Sequence, residues 1–168
     1  MKTNRKAIIA VVAILVLACT LAFAACDPEV EENNVDKALS LASICTTTSV
    51  TLSKDGTVYY SYTKTADGEA VVSDPYDTGV TADDFVDFDK EIKSGIKSSD
   101  LKVTENYYME ASGAVKLTAE LIDATKTLGT EATGAVVAVD GNLITNTVNI
   151  FKVTYVDSNG YTVEISLS

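Results

Sequence analysis

The sequence holds 168 residues, with 24 acids against 13 lysines and arginines for a formal charge of −11, and it contains no histidine and no tryptophan. A chain this acidic is repelled by the phosphates of nucleic acid and by anionic lipid headgroups, which excludes a nucleic-acid partner and membrane attachment by charge. Without histidine, hydrolysis through a Ser–His or Cys–His pair is ruled out, and the usual nitrogen ligands for zinc or copper are missing.

The first segment carries the most specific signal. Lys2, Arg5 and Lys6 form a basic start with no acid, and Ala7 to Ala25 is then apolar apart from Cys19 and Thr20. Such a run is long enough to span a bilayer. It ends, however, in Leu21-Ala22-Phe23-Ala24-Ala25-Cys26 and turns at once into Asp27-Pro28-Glu29-Val30-Glu31-Glu32, with no cationic flank to stop transfer. The two small residues before Cys26 suit a peptidase that needs an unbulky, extended substrate. Here the chain resembles the lipobox of bacterial lipoproteins, in which a hydrophobic residue and two small ones precede a cysteine that receives a diacylglycerol thioether; Phe23 stands where leucine is usual. Cys19 fits less well, because bulky Leu17 occupies a position where a small residue is wanted.

The resemblance implies that residues 1–25 are a signal peptide and that Cys26 is the lipidated first residue of a mature protein, acylated by palmitate-like chains and held on the outward-facing side of the cell membrane. Removing 25 of the 168 residues leaves 143, one domain's worth, and takes three basic residues but no acid, so the charge falls from −11 to −14. Anchoring then rests on the acyl chains, at ~0.8 kcal/mol per buried methylene with two or more chains needed. Residues 26–33 read as an acidic tether reaching at most roughly 28 Å. Cys45 is left without a disulfide partner and reads as a small core residue.

A single β-rich domain is expected over 34–168. Asn33 with Asp36 resembles a capping box, and Val35, Ala38, Leu39, Ala42 and Cys45 recur at helical spacing, predicting an amphipathic helix over 34–45. From Ser49 the period changes to two. Val50 and Leu52 alternate with polar residues, Asp55-Gly56 supplies a tight turn, and Val58, Tyr60 and Tyr62 continue the alternation, which predicts a β-hairpin. A short strand follows near Glu69–Ser73, then a loop around Pro75. Thr81 with Asp84 caps a second helix over 82–94, with Phe85, Phe88 and Ile92 on one face and Gly95 at its end.

The remainder reads as strand. Leu101, Val103, Tyr107 and Met109 share one parity, Ser112-Gly113 turns, and Val115, Leu117, Ala119 and Leu121 answer on the return. Further strands are expected near 134–139, 143–156 and 161–168, with turns at Asp140-Gly141-Asn142 and Asp157–Gly160; residues 123–133 fit either a loop or an irregular turn. The fold class is therefore α+β: a curved antiparallel sheet of seven or eight strands wrapping the N-terminal helix.

No catalytic motif is apparent, and the chain is expected not to be an enzyme. Asp83, Asp84, Asp87, Asp89 and Glu91 form the densest acidic cluster, but no glycine-containing calcium loop accompanies them, and the first two suit a helix N-terminus. No metal site and no cofactor are predicted. Eight of the aromatics are tyrosines, with Tyr59-Tyr60 and Tyr107-Tyr108 adjacent, so each pair splits between the two faces of its strand.

The helix placed straight after the lipid anchor, the Tyr-rich hairpin and the closing pair Phe151–Tyr155 and Asn159–Ile165 resemble the half-barrel lipoproteins related to the periplasmic lipoprotein carrier and the mycobacterial glycolipid-binding lipoproteins. That resemblance implies an apolar cavity, with Tyr60, Tyr62, Tyr107, Met109, Phe151 and Tyr155 as its candidate lining, and a lipid or other hydrophobic small molecule as ligand. The alternative is an interaction or structural module that binds another envelope protein through an aromatic patch around Tyr59 and Tyr108.

Overall fold

The computed structural model describes residues 28–168 apart from 69, 86 and 87, with side chains from residue 34 onward except those of 84–91. The expected signal peptide, Cys26 and the Phe85 and Phe88 side chains lie outside the described residues. By contacts the chain divides into two units, 1–32 and 33–168. The second carries the sheet.

Helix α1 is described over Pro28–Ser40. Helix therefore covers part of the stretch expected to be a tether. The α-helix ends at Ser40 and tightens into a 3-10 turn, Leu41–Ile44. The Ser40 and Ser43 hydroxyls donate to the carbonyls of Lys37 and Ser40, both at 2.7 Å, satisfying acceptors that the helix end leaves open. Of the anticipated apolar stripe, Val35, Ala38, Ala42 and Cys45 are buried and Leu39 is partly buried, while Leu41, which was not anticipated, is buried with them.

Eight strands follow: β1 Thr48–Lys54, β2 Thr57–Lys64, β3 Ala70–Ser73, β4 Leu101–Met109, β5 Ala114–Leu121, β6 Thr133–Asn142, β7 Thr147–Val156 and β8 Thr162–Leu167. They form one open antiparallel sheet in the order β3-β2-β1-β8-β7-β6-β5-β4. β4 to β8 are a sequential meander, and the first hairpin joins it where β1 pairs with β8, Thr48 opposite Leu167 and Ser53 opposite Thr162. The β1–β2 turn has Asp55 and Gly56 at φ 51° and 78°, the double positive-φ geometry that suits the twist of a two-residue hairpin. Between the two sheet edges, residues 74–100 carry a 3-10 turn at Ala82–Phe85, helix α2 at Phe88–Gly95 and a 3-10 turn at Ser98–Asp100. Where one helix over 82–94 was expected, Ala82–Phe85 is a 3-10 turn and α-helix is described over Phe88–Gly95.

The inner face of the sheet is continuous. Val50, Leu52, Tyr60, Tyr62, Val115, Leu117, Val137, Val139, Phe151, Val153, Val163 and Ile165 are all buried, in one cluster with the α1 stripe and with Ile92 and Ile96 from the crossover. Burying side chains of this size stabilises the fold by about 1.5–3 kcal/mol each relative to exposure. Lys93 Nζ donates to the Cys45 carbonyl at 2.8 Å, joining α2 to the end of the 3-10 turn. The outer face is polar, with Lys152–Glu164 at 3.0 Å and Ser49–Thr63 at 3.2 Å crossing strand boundaries.

Two local features depart from the sequence reading. Asp140-Gly141-Asn142 is strand, and the turn lies at 143–146, ending on Asn146 at φ 51°. Gly141 is needed for close approach: a Cβ there would sit 2.7 Å from Leu41 Cδ1 and 2.5 Å from the Thr147 carbonyl oxygen. Residues 124–128 form a short helix, α3, capped by the Asp123 carboxylate accepting from Lys126 N at 3.0 Å and closed by Gly129 at φ 67°.

Candidate functional site

Among the described residues three places offer chemistry. The first is the inner face of the sheet. Tyr60, Tyr62, Phe151 and Tyr155 are there together, each 3% exposed or less, as the alternation of β2 and β7 requires. Tyr107 and Met109, expected beside them, are 44% and 46% exposed. The cause is a bulge: pairing of β4 with β5 slips between Val103 and Glu105, so the parity reverses and Asn106 and Tyr108 turn inward instead. Tyr108 is therefore not part of an outer patch. It is half-buried, with Lys37 Nζ of α1 4.2 Å from its ring centroid.

The four buried rings belong to one cluster with Val35, Ala38, Leu41 and Ala42 of the first helix and its 3-10 turn. Leu41 projects onto Gly141 of β6, and the 3-10 turn packs on β7. Cys45 is buried in the same cluster, with its thiol directed at the Leu41 carbonyl at 3.5 Å.

The second place is an aromatic group at the end of the sheet where the β1–β2 and β7–β8 turns meet. Tyr59, the extra residue of a bulge opposite Leu52 and Ser53, has Tyr76 at 4.8 Å and Tyr161 at 5.4 Å between ring centroids, the latter edge-on. Lys54 Nζ lies 5.6 Å from the Tyr161 centroid. The Asp157 carboxylate sets Tyr161 in place by accepting from its N–H at 2.8 Å and from Asn159 N at 2.9 Å. Tyr59 was anticipated as an outward residue. Its companions were not, because Tyr76 and Tyr161 belong to loops that only the strand order brings alongside.

The third is a cleft of about 360 Å³ lined by Thr125, Glu131, Ala132, Thr133, Val156 and Asp157. Three of its polar residues are engaged locally: Thr125 Oγ1 accepts from Ala132 N at 3.3 Å, Thr133 Oγ1 donates to the Val156 carbonyl at 3.3 Å, and Asp157 holds its own turn. Among the described residues no group of three or more Cys, Asp or Glu could hold a metal ion, and no helix is long and apolar enough to cross a membrane.

No protein-family model matches the chain, and no curated protein matches it. Among solved structures, a crystal structure of MucB in complex with MucA(peri) is similar over 82% of this chain at 12% identity, with a TM-score of 0.30. This chain spans 53% of that one's length.

Proposed function

We propose that this protein is a non-enzymatic bacterial envelope lipoprotein, anchored outward on the cell membrane through acyl chains on Cys26, whose domain works by binding another envelope protein at its surface. The observation that carries the binding part is the packed inner face: Tyr60, Tyr62, Phe151 and Tyr155 are buried in one cluster with Val35, Ala38 and Leu41, and Leu41 is seated over Gly141. A lipid carrier of this architecture would need space there for its ligand, at a few hundred Å³. The lipobox resemblance supports the anchor, and the histidine-free composition supports a binding role over catalysis.

Replacing Cys26 with Ser should move the protein from the membrane to the soluble fraction; retention of the variant as a lipidated membrane species would refute the anchor. Native mass spectrometry of protein taken from its own membrane tests the binding part. A domain that acts through its surface arrives without bound lipid beyond its own acyl chains, whereas stoichiometric additional lipid marks a carrier. The packed inner face has its own check. Gly141→Val forces a side chain into Leu41 and the Thr147 carbonyl and should cost about 1–3 kcal/mol in urea denaturation.

A further inference from the structure

We infer that the free edge of β3 is a strand-addition site for an extended, cationic segment of a partner protein, an assignment that rests on the reading that this domain acts through its surface. Among the described residues β3 ends the sheet order, with no strand on its far side. In an antiparallel edge strand alternate residues turn both backbone N–H and C=O outward, the template on which an incoming strand pairs. The segment Ala70-Val71-Val72-Ser73 has no charge and no proline, and every residue in it is exposed. Val72 pairs with Tyr62 and Val71 with Thr63, so the two valines lie on opposite faces, 47% and 67% exposed. An added strand therefore meets an apolar side chain on each face of the sheet. Beyond Ser73 the chain runs back toward the start of β2, where Tyr76, 56% exposed and tilted against Tyr59, extends the contact.

Charge selects the occupant. Asp67 precedes the strand, and Asp74 and Asp77 follow it; Lys64, opposite Ala70, is the basic residue in register with it. Asp74 is held in place, its carboxylate accepting from Thr78 N at 3.0 Å and Thr78 Oγ1 at 3.1 Å. A second copy of this chain would set these same acids against each other, and an anionic lipid surface would be repelled by them. A segment with alternating apolar residues flanked by lysine or arginine satisfies both the backbone and the charge.

The test is an NMR titration of the full chain with a short synthetic peptide that alternates valine and threonine between pairs of lysines, and with its twin carrying glutamates in place of the lysines. The lysine peptide is expected to shift the backbone amides of residues 70–73, to bind about tenfold or more tightly than its twin, and to weaken as salt rises. Val72→Lys should reduce binding at least about tenfold without changing the spectrum elsewhere. Should that variant unfold, Val71→Lys at the more exposed position carries the same expectation. The assignment is overturned if these amides stay unmoved at roughly 1 mM lysine peptide, if the twins bind equally, or if both lysine variants bind like the parent. Shifts centred on Tyr59, Tyr76 and Tyr161 overturn the edge and leave the surface-binding reading standing. Stoichiometric lipid in the native spectrum overturns that reading whatever the titration gives.

Discussion

The two edges of this sheet are built on opposite plans. β4 is nine residues long and defended: Leu101 anchors it in the core, its bulge breaks the regular ladder, and Lys102 and Glu105 reach back to Glu120 and Lys116 on β5 at 2.9 and 3.1 Å. Thr104 Oγ1 also donates inward, to the Thr118 carbonyl at 2.9 Å. β3 has four residues, all exposed and none charged. Bulges and charges are the ordinary means by which a sheet discourages edge-to-edge pairing, and this sheet applies them to one edge and leaves the other with brevity as its protection. An edge that needed only to be inert would be treated like β4.

Four substitutions would break or sharpen that contrast. Leu101→Ala removes the anchor of the defended edge from a buried position and should destabilise the domain by about 2–4 kcal/mol, read from the urea midpoint. Tyr59→Ala, next to the bare edge, takes away both ring contacts of the aromatic group; about 1 kcal/mol is expected, together with greater mobility of Tyr76 in ¹H–¹⁵N relaxation. Lys102→Ala disconnects an exposed ion pair worth between about 0 and 1 kcal/mol, a loss that should fade in high salt. Val71→Thr should leave stability within about 0.5 kcal/mol, since that side chain supports nothing in the core. Hydrogen exchange gives the same ordering without substitution: amides of β3 should lose protection well before those of β5 and β6. A Val71 variant as damaging as the Leu101 variant would show that β3 is structural and would end the comparison.

The sheet was legible in the sequence wherever alternation ran unbroken, as from Val163 to Leu167; in the first hairpin Val50, Leu52, Tyr60 and Tyr62 are buried as read, but the bulge at Tyr59 leaves Val58 exposed. Alternation failed at β4, where one extra residue between Val103 and Glu105 reverses the parity of everything after it and exchanges Tyr107 with Tyr108. A bulge of this kind has no glycine to announce it. Gly141 misled in the other direction, because a glycine kept for close packing of a helix looks the same in sequence as one kept for a turn. The short helix at Ala124–Leu128 had both its caps in view, Asp123 and Gly129, but too few apolar positions between them to establish a period. Of the candidate site, the buried rings could be read from parity. The aromatic group around Tyr59 could not, since it depends on which turns become neighbours once β1 and β8 pair.

That pairing also governs the order of assembly. β8 lies between β1 and β7, so the opening hairpin has nowhere to attach until residues more than a hundred positions later have emerged, and Thr46, Thr47 and Ser168 close the seam through backbone hydrogen bonds of 2.8–3.0 Å. Contacts so distant along the chain slow folding. The domain therefore cannot close until β8 is available to pair with β1, and that strand is the latch that converts an extended chain into a domain.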